Sequence, residues 1–539
     1  MKQLTLPLVI LCSVSVGLLS GFVMFSDDKN TAAIGNGLNK MREILTYVNR
    51  DYVDTVNAEK LIDYSIQKML AKLDPHTVYI SKAETEQSKL QLESNFDGIG
   101  VEFNIIKDTI VVVAPISGGP SEQLGIMSGD KIVYIDDENV AGVHITNMGV
   151  FKRLRGPKGT KVKVQIRRGK NPKLLDYTIT RDKIPSLSVD VGYMLDDSTG
   201  YVKVSRFTGT TDLELHENLD KLKKKGMKRL ILDLRDNSGG YMNVAVKMAD
   251  EFLTDNKTIV YTKSKNVRYD QYYKTSTQND GLFEKGSLVV LINEGSASAS
   301  EIVSGALQDN DRALVVGRRS FGKGLVQMPI PLSDGSELRL TISRYYIPSG
   351  RCIQKPYSQE DEGESYYKDI YSRFKKGEFF SSDSIKFSDS LKYKTSSGRI
   401  VYGGGGIMPD YFVPRDTVPF TNLLVEMYNK DVLREYSLQY FVDNKKKMEK
   451  QSLADFKKTF QITPTQWQEI IQLAKASGVK IKEEELKRSE AFIKNQIKAL
   501  IARSMWKNEG FYLISNDQDD IIKNALLLFP KAKLMAQNN

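Results

Sequence analysis

"LVVLINEGSASASEIVSGALQ", residues 288–308, is the stretch on which the reading of this chain turns. The apolar run Leu288 to Ile292 makes a strand buried on both faces. Ile302, Val303, Ala306 and Leu307 then fall on one stripe of a helix. Glycine and small residues separate the two, so the chain passes from strand to helix in a short turn. Ser298 and Glu301 have the spacing of a capping box at the start of that helix. Such a strand-turn-helix presents a hydroxyl and backbone N–H groups at the carboxyl edge of a sheet, where α/β proteins commonly bind ligands. Spacing alone does not choose among Ser296, Ser298 and Ser300.

Working outward, Tyr201–Val204, Arg229–Leu234 and Ala313–Val316 add strands, and residues 212–225 and 241–253 read as helices between them. This alternation predicts an α/β layer with a central sheet. The strand ending at Leu234 leads into Asp236-Asn237-Ser238-Gly239-Gly240, whose adjacent glycines suit a loop offering N–H groups to an anion. Downstream, "VVGRRSFGKGLVQ" (315–327) nearly spells a phosphate-binding loop. Two requirements fail: Gly324 stands where a Mg²⁺-ligating hydroxyl is needed, and Pro329 and Pro331 with alternating apolar residues predict a strand where a helix should start. Lys323 therefore calls for a role other than nucleotide binding.

Composition narrows the classes. The chain has 539 residues, 40% of them hydrophobic, enough for several ordinary domains. Its net charge of +10 is carried partly by runs such as Lys223-Lys224-Lys225 and Lys445-Lys446-Lys447. These read as solvated helix faces, with no interleaved aromatic platform for nucleic acid. Behind Lys2, the apolar segment Leu4 to Phe25 is long enough to span a bilayer, and Asp27-Asp28 after it favours a translocated remainder. The expectation is an anchor or signal segment over 1–33 and an extracytoplasmic body. Of two cysteines, Cys12 lies in that segment and leaves Cys352 alone, so no disulfide or thiolate cluster is expected. The three histidines, His76, His144 and His216, have no metal-ligand spacing.

Residues 34–95 show helical periodicity. From Phe96 to 184 short β-like runs such as Ile110–Val113, Lys131–Ile135 and Val162–Ile166 alternate with glycine turns. Residues 355–400 are polar and read as a surface insertion. A lysine- and glutamine-rich helical region occupies 417–539.

With these motifs in view, the chain resembles the carboxy-terminal processing peptidases, or tail-specific proteases. The resemblance rests on "GSASASEIVSGALQDNDRALVVGRRSFGKGLVQ", the upstream "LDLRDNSGG", the downstream "YIPSGRCIQ", Leu73-Asp74-Pro75-His76 and Gly406-Ile407-Met408-Pro409-Asp410. It implies a multidomain α+β protein with a crotonase/ClpP-like α/β catalytic core over 185–416. It also implies a serine peptidase that uses lysine as its base, with Ser298 as nucleophile, Lys323 as base and Gln327 as the third catalytic position. Phe96-Asp97-Gly98-Ile99-Gly100-Val101 resembles the carboxylate loop and first groove strand of a PDZ domain, here 96–184. Gly98, Ile99, Gly100 and Val101 are then the expected peptide-binding residues, holding a free carboxylate on backbone amides while the peptide adds as a strand. The family further implies that this module gates the active site, with Arg167 or Arg168 as candidates to relay its occupancy.

The residue types fit that chemistry. A serine hydroxyl needs a neighbouring base, and lysine serves only when neutral. About 4 kcal/mol against the ammonium is needed to bring a lysine of reference pKa about 10.4 to working neutrality. Burial among Val315, Val316, Phe321 and Val326 is the expected source. Ala299 N–H and an N–H of Gly239 or Gly240 are the candidate oxyanion donors. The expected partners are proteins or peptides with free apolar C-termini, the membrane through the N-terminal segment, and a second copy through the helical ends; no metal or cofactor is called for. Four residues of extended strand cover about 13 Å, so a Lys323–Gln327 contact requires a bend.

Overall fold

The computed structural model describes residues 29–85, 88, 93–169, 171–278, 280–358 and 363–537. The apolar segment Leu4 to Phe25 lies outside them. Among the described residues no helix is long and apolar enough to cross a membrane. The chain divides into two compact units, one ending at Leu73 and one starting at Asp74. The first holds the helices Lys29–Asp51 and Ala58–Ala71, the latter capped by Asn57 Oδ1 on Lys60 N–H at 2.9 Å. The expected helical region thus gives way early, and Val78–Ile80 is already a strand of the second unit.

The sheet that carries the serine turn has six strands in the order Val189–Met194, Thr199–Val204, Arg229–Asp233, Ser287–Ile292, Leu314–Gly317, Tyr411–Phe412. Its first pair is antiparallel and the rest parallel. Period-two alternation sends Leu288, Val290 and Ile292 to one face and Val289 and Leu291 to the other, and both faces are buried. The helices Thr211–Lys224, Met242–Asp250 and Ala299–Asp309 cover the first face through Leu219, Met248 and Val303. Chain drawn from far downstream covers the second: Ile522, Ala525 and Phe529 of the final helix Asp520–Gln537 pack on Val289 and Leu291. A parallel sheet must be covered on both faces, so the final helix completes a layer that the sequence reading had closed at residue 416.

A second sheet joins Val78–Ile80, Leu325–Pro331 and Thr258–Lys263 to the long strand Glu337–Tyr346. This places the turn Asp74–Thr77 near the strand that follows Lys323. The module between them is a separate sheet led by Val101–Ile106 at its edge, with Ile110, Ile132, Val164 and Ile179 in its core and Val150 and Leu154 of the helix Asn147–Leu154 closing it.

The expected surface insertion is only partly at the surface. Its helix Glu364–Lys375 buries Tyr366 and Arg373, and Arg373 donates to the carbonyls of Ser320 at 2.9 Å and Arg319 at 2.7 Å. Polarity misled the reading because these polar groups are consumed by backbone carbonyls of the loop carrying Lys323.

Candidate active site

The three serines of the turn have different fates. Ser296 and Ser300 are fully buried; Ser296 Oγ donates to Leu234 O and Ser300 Oγ to Asn237 O, each at 2.8 Å. Together with Ala297 N–H donating to Asn237 O at 2.9 Å, they weld the serine turn to the Asp236–Gly240 loop. Ser298 is half-buried, and its hydroxyl proton has no acceptor among the described residues. Its backbone sits at φ 54°, ψ −112°. This conformation is costly for a non-glycine residue, on the order of 1–3 kcal/mol, and such strain gathers at functional sites.

The capping box is formed, and its acid does more than cap. Glu301, fully buried, accepts from Ser298 N–H at 2.8 Å and also from Lys323 N–H at 2.9 Å, Gly322 N–H at 2.7 Å and Ser320 Oγ at 2.5 Å. Burial pushes its carboxyl pKa up, and these four donors oppose that. Tyr345, also buried, donates from its hydroxyl toward Ser298 O at 3.2 Å and toward Lys323 O. One carboxylate and one phenol thus lash together the backbones of Ser298 and Lys323. The sequence offered a signal only for the first, through its cap spacing.

Lys323 Nζ donates to Gln327 Oε1 at 2.7 Å, and Gln327 Nε2 in turn donates to the carbonyl of His76. The two side chains bridge the distance that the backbone does not, with a register shift between Val326 and Gln327 in the strand. Burial lowers the Lys323 pKa, the Arg339 charge lowers it further, and Glu301 and Asp74 oppose them. Among the described residues no carboxylate lies within ion-pair distance of Nζ, and no hydrogen bond joins it to Ser298 Oγ. The expected wall needs correction, because adjacent strand residues point to opposite faces: Val315 lies on one side of the sheet and Val316 on the other.

Of the oxyanion candidates, Gly239 packs against Ser298, where a Cβ would come within 2.8 Å of the serine's. Its N–H already donates to Asn237 Oδ1 at 2.9 Å, which removes Gly239 as the free donor. The N–H groups of Gly240 and Ala299 have no acceptor among the described residues. His76 is half-buried beside the site and its pKa is lowered to about 4, by burial first and the Lys323 charge second. It is therefore neutral at physiological pH. His216 pairs with Glu251 at 2.6 Å elsewhere on the surface.

In the β module, Gly100 takes φ 74° and its carbonyl accepts from Ile116 N–H at 2.9 Å. The N–H groups of Ile99 and Gly100 have no acceptor among the described residues, and Val101 starts the edge strand. Gly98 is spent in pairing with Asp182. Beside it stands Arg155, unnoticed in the sequence, with its guanidinium over Phe96 at 4.5 Å and Phe151 at 4.7 Å. Its Nε is buried with no hydrogen-bond partner among the described residues, and burial lowers its pKa. Of the two relay candidates, Arg168 is held by Asp130 at 2.7 Å and Arg167 is exposed.

Comparison with known proteins places these sites in context. The model of peptidase family S41 matches residues 198–362 and that of the PDZ domain residues 98–179. A model described as the activating protease CtpB N-terminal domain matches 22–85, and a family of unknown function matches 423–507. The carboxy-terminal processing protease CtpB of Bacillus subtilis (strain 168) is 33% identical over 353 residues, covering 63% of this chain and 72% of the relative. The carboxy-terminal-processing protease of Bartonella bacilliformis is 34% identical over 346 residues, covering 64% and 77%. Among solved structures, the photosystem II D1 C-terminal processing protease aligns with 26% identity and a TM-score of 0.36 over 71% of this chain and 88% of that one.

Proposed function

The chain belongs to peptidase family S41 as a carboxy-terminal processing serine protease with a PDZ domain, and on that premise we propose that it cuts proteins near their free C-termini by a Ser298/Lys323 acyl-enzyme route. Neutral Lys323 takes the Ser298 proton as Oγ bonds to the scissile carbonyl carbon, and the displaced electron pair settles on the carbonyl oxygen. The N–H groups of Ala299 and Gly240 receive that oxyanion; one such donor is worth about 3 kcal/mol of barrier. Collapse breaks the C–N bond, the leaving amine takes the proton from Lys323, and a serine ester remains. Water, deprotonated by Lys323, attacks the ester carbon; the bond from that carbon to Oγ breaks, the new carboxyl end leaves, and the proton passes from Lys323 back to Ser298. Gln327 orients the amine without a charge that would hold it protonated, and the Ser–Lys hydrogen bond forms in the substrate complex.

The observation carrying this reading is the partition of the turn: Ser296 and Ser300 are consumed by backbone carbonyls, while among the described residues the Ser298 hydroxyl has no acceptor and Lys323, whose backbone Glu301 ties to that of Ser298, has no ion pair. Substrate tails are read by the β module. A peptide adds to the Val101–Ile106 edge with its carboxylate on the Ile99 and Gly100 amides and near the Arg155 cation. The catalytic core is read as a crotonase/ClpP-like layer, and the N-terminal segment as an anchor that leaves the body outside the cytoplasm.

In a test protein with an apolar tail, Ser298→Ala and Lys323→Ala each reduce cleavage by about 10³-fold or more. A folded variant of either kind that turns over at the normal rate removes the assignment.

A further inference from the structure

The insertion over 355–400 touches the catalytic machinery from a side that the family model does not reach, since that match ends at 362 and the insertion helix begins at Glu364. Tyr366, 1% exposed, shares a hydrogen bond of 2.8 Å with His76 Nε2, and the two rings meet edge to face at 5.0 Å. The backbone carbonyl of the same His76 receives Gln327 Nε2. This contact settles which end of the glutamine amide faces the lysine: with the NH₂ end anchored, Oε1 is the atom presented to Lys323 Nζ at 2.7 Å. Gln354 braces the chain next to the base: its Oε1 accepts from Gly324 N–H at 2.8 Å and its Nε2 donates to Lys355 O at 2.9 Å. Lys355 clamps the aromatic pair: its Nζ lies 3.9 Å from the Phe321 ring centroid and 4.0 Å from that of Tyr366, donating to Tyr366 O at 3.0 Å and Asp369 at 3.1 Å.

We propose that the insertion helix is a working part of the catalytic centre, with Tyr366 acting through His76 as a positioning residue that sets the Gln327 amide against Lys323. This rests on the reading of Lys323 as the base. The helix holds both loops between which that base lies: the Asp74–Thr77 turn through Tyr366, and residues 319–320 through Arg373. Releasing the phenol frees the histidine and lets the amide swing, and water then reaches the amine. The charged and titratable groups facing Lys323 are Glu301 from the serine helix, Asp74 and His76 from the turn, and Arg339 from the long strand, with Lys355 behind His76. Of these, Tyr366→Phe disturbs His76 directly and leaves the others in place.

The test is kcat and KM against pH for the full chain, with Tyr366→Phe, His76→Phe, their double variant, and Tyr371→Phe on the exposed side of the same helix. Tyr366→Phe and His76→Phe each lower kcat about tenfold with KM nearly unchanged and move the ascending limb to higher pH. The double variant is no worse than the worse single, because both break one link, and Tyr371→Phe behaves as wild type. If either folded variant keeps the wild-type limb, even at reduced kcat, the phenol serves stability alone and the proposal falls. Lys323→Ala in the same assay separates the two readings. Activity in that variant sinks the base assignment itself, whereas inactivity alongside an unmoved Tyr366→Phe limb sinks only the positioning role.

Discussion

At the scale of single residues, the site is governed by what each polar group already has as a partner. Buried hydroxyls and amides that are satisfied hold the scaffold, and those left over do chemistry. Ser296, Ser300 and Gly239 are spent; Ser298, Gly240 and Ala299 are not. The same accounting applies to charge. As the proposed base, Lys323 has to be neutral, and its pKa is held down by burial and then by Arg339. Removing the Arg339 cation withdraws a repulsion from the ammonium, so the folded-state pKa rises toward the ordinary lysine value. The sign follows directly: in Arg339→Gln the ascending limb of kcat/KM lies at higher pH than in wild type, and the rate near neutrality falls. A pH profile that coincides with wild type would show that Arg339 does not act on the base. Much at this scale was open to the sequence reader. Glu301 announced itself as a cap, but its second grip, on Lys323 N–H, depends on a loop that returns from beyond the next strand.

At the scale of elements, alternation decided what was legible. The run Leu288 to Ile292 could be read as a strand buried on both faces because every residue in it is apolar. What covers the second face could not, because the covering helix lies at the far end of the chain and its amphipathic stripe is compatible with any apolar partner. Its middle turns give a sharp contrast. Leu528 is 6% exposed against the sheet, whereas its neighbour Leu527 is 78% exposed. Leu528→Ala costs about 2–4 kcal/mol in urea unfolding, and Leu527→Ala is within about 0.5 kcal/mol of wild type. Equal losses in the two variants would mean that the helix does not dock as described. The insertion was misjudged for the opposite reason: composition reports average polarity, and the two residues that matter, Tyr366 and Arg373, are buried members of a polar segment.

At the scale of the whole molecule, the C-terminal helices join the β module to the catalytic layer. The long helix Glu483–Ser515 breaks its geometry at Trp506 and Lys507. Around that break Arg503 pairs with Glu102 of the edge strand at 2.6 Å, and Lys507 with Glu122 at 3.1 Å. Farther on, Asp519 pairs at 2.7 Å with Arg235, at the head of the Asp236–Gly240 loop. The β module and the sheet that carries the serine turn are thus mounted on one support. If the module reads the free carboxylate, amidating the tail of a test protein raises KM by about tenfold or more with kcat less affected, since a charge-assisted contact is lost. Arg155→Ala brings the KM of the free tail toward that of the amidated one; equal cleavage of free and amidated tails by wild type would refute carboxylate reading.

The strands, the serine turn and the glycine loops could be read from the sequence alone, and resemblance pointed to Ser298 and Lys323 as the proposed nucleophile and base, because these are local patterns or motifs a few residues long. Only the tertiary structure decided which of three serines keeps its proton, which glycine keeps its N–H, how Gln327 reaches the lysine, and that a polar insertion and the final helix belong to the catalytic layer. Each of those depends on a hydrogen-bond partner or an apolar face supplied from distant chain, and a donor's availability is a property of what has already packed against it.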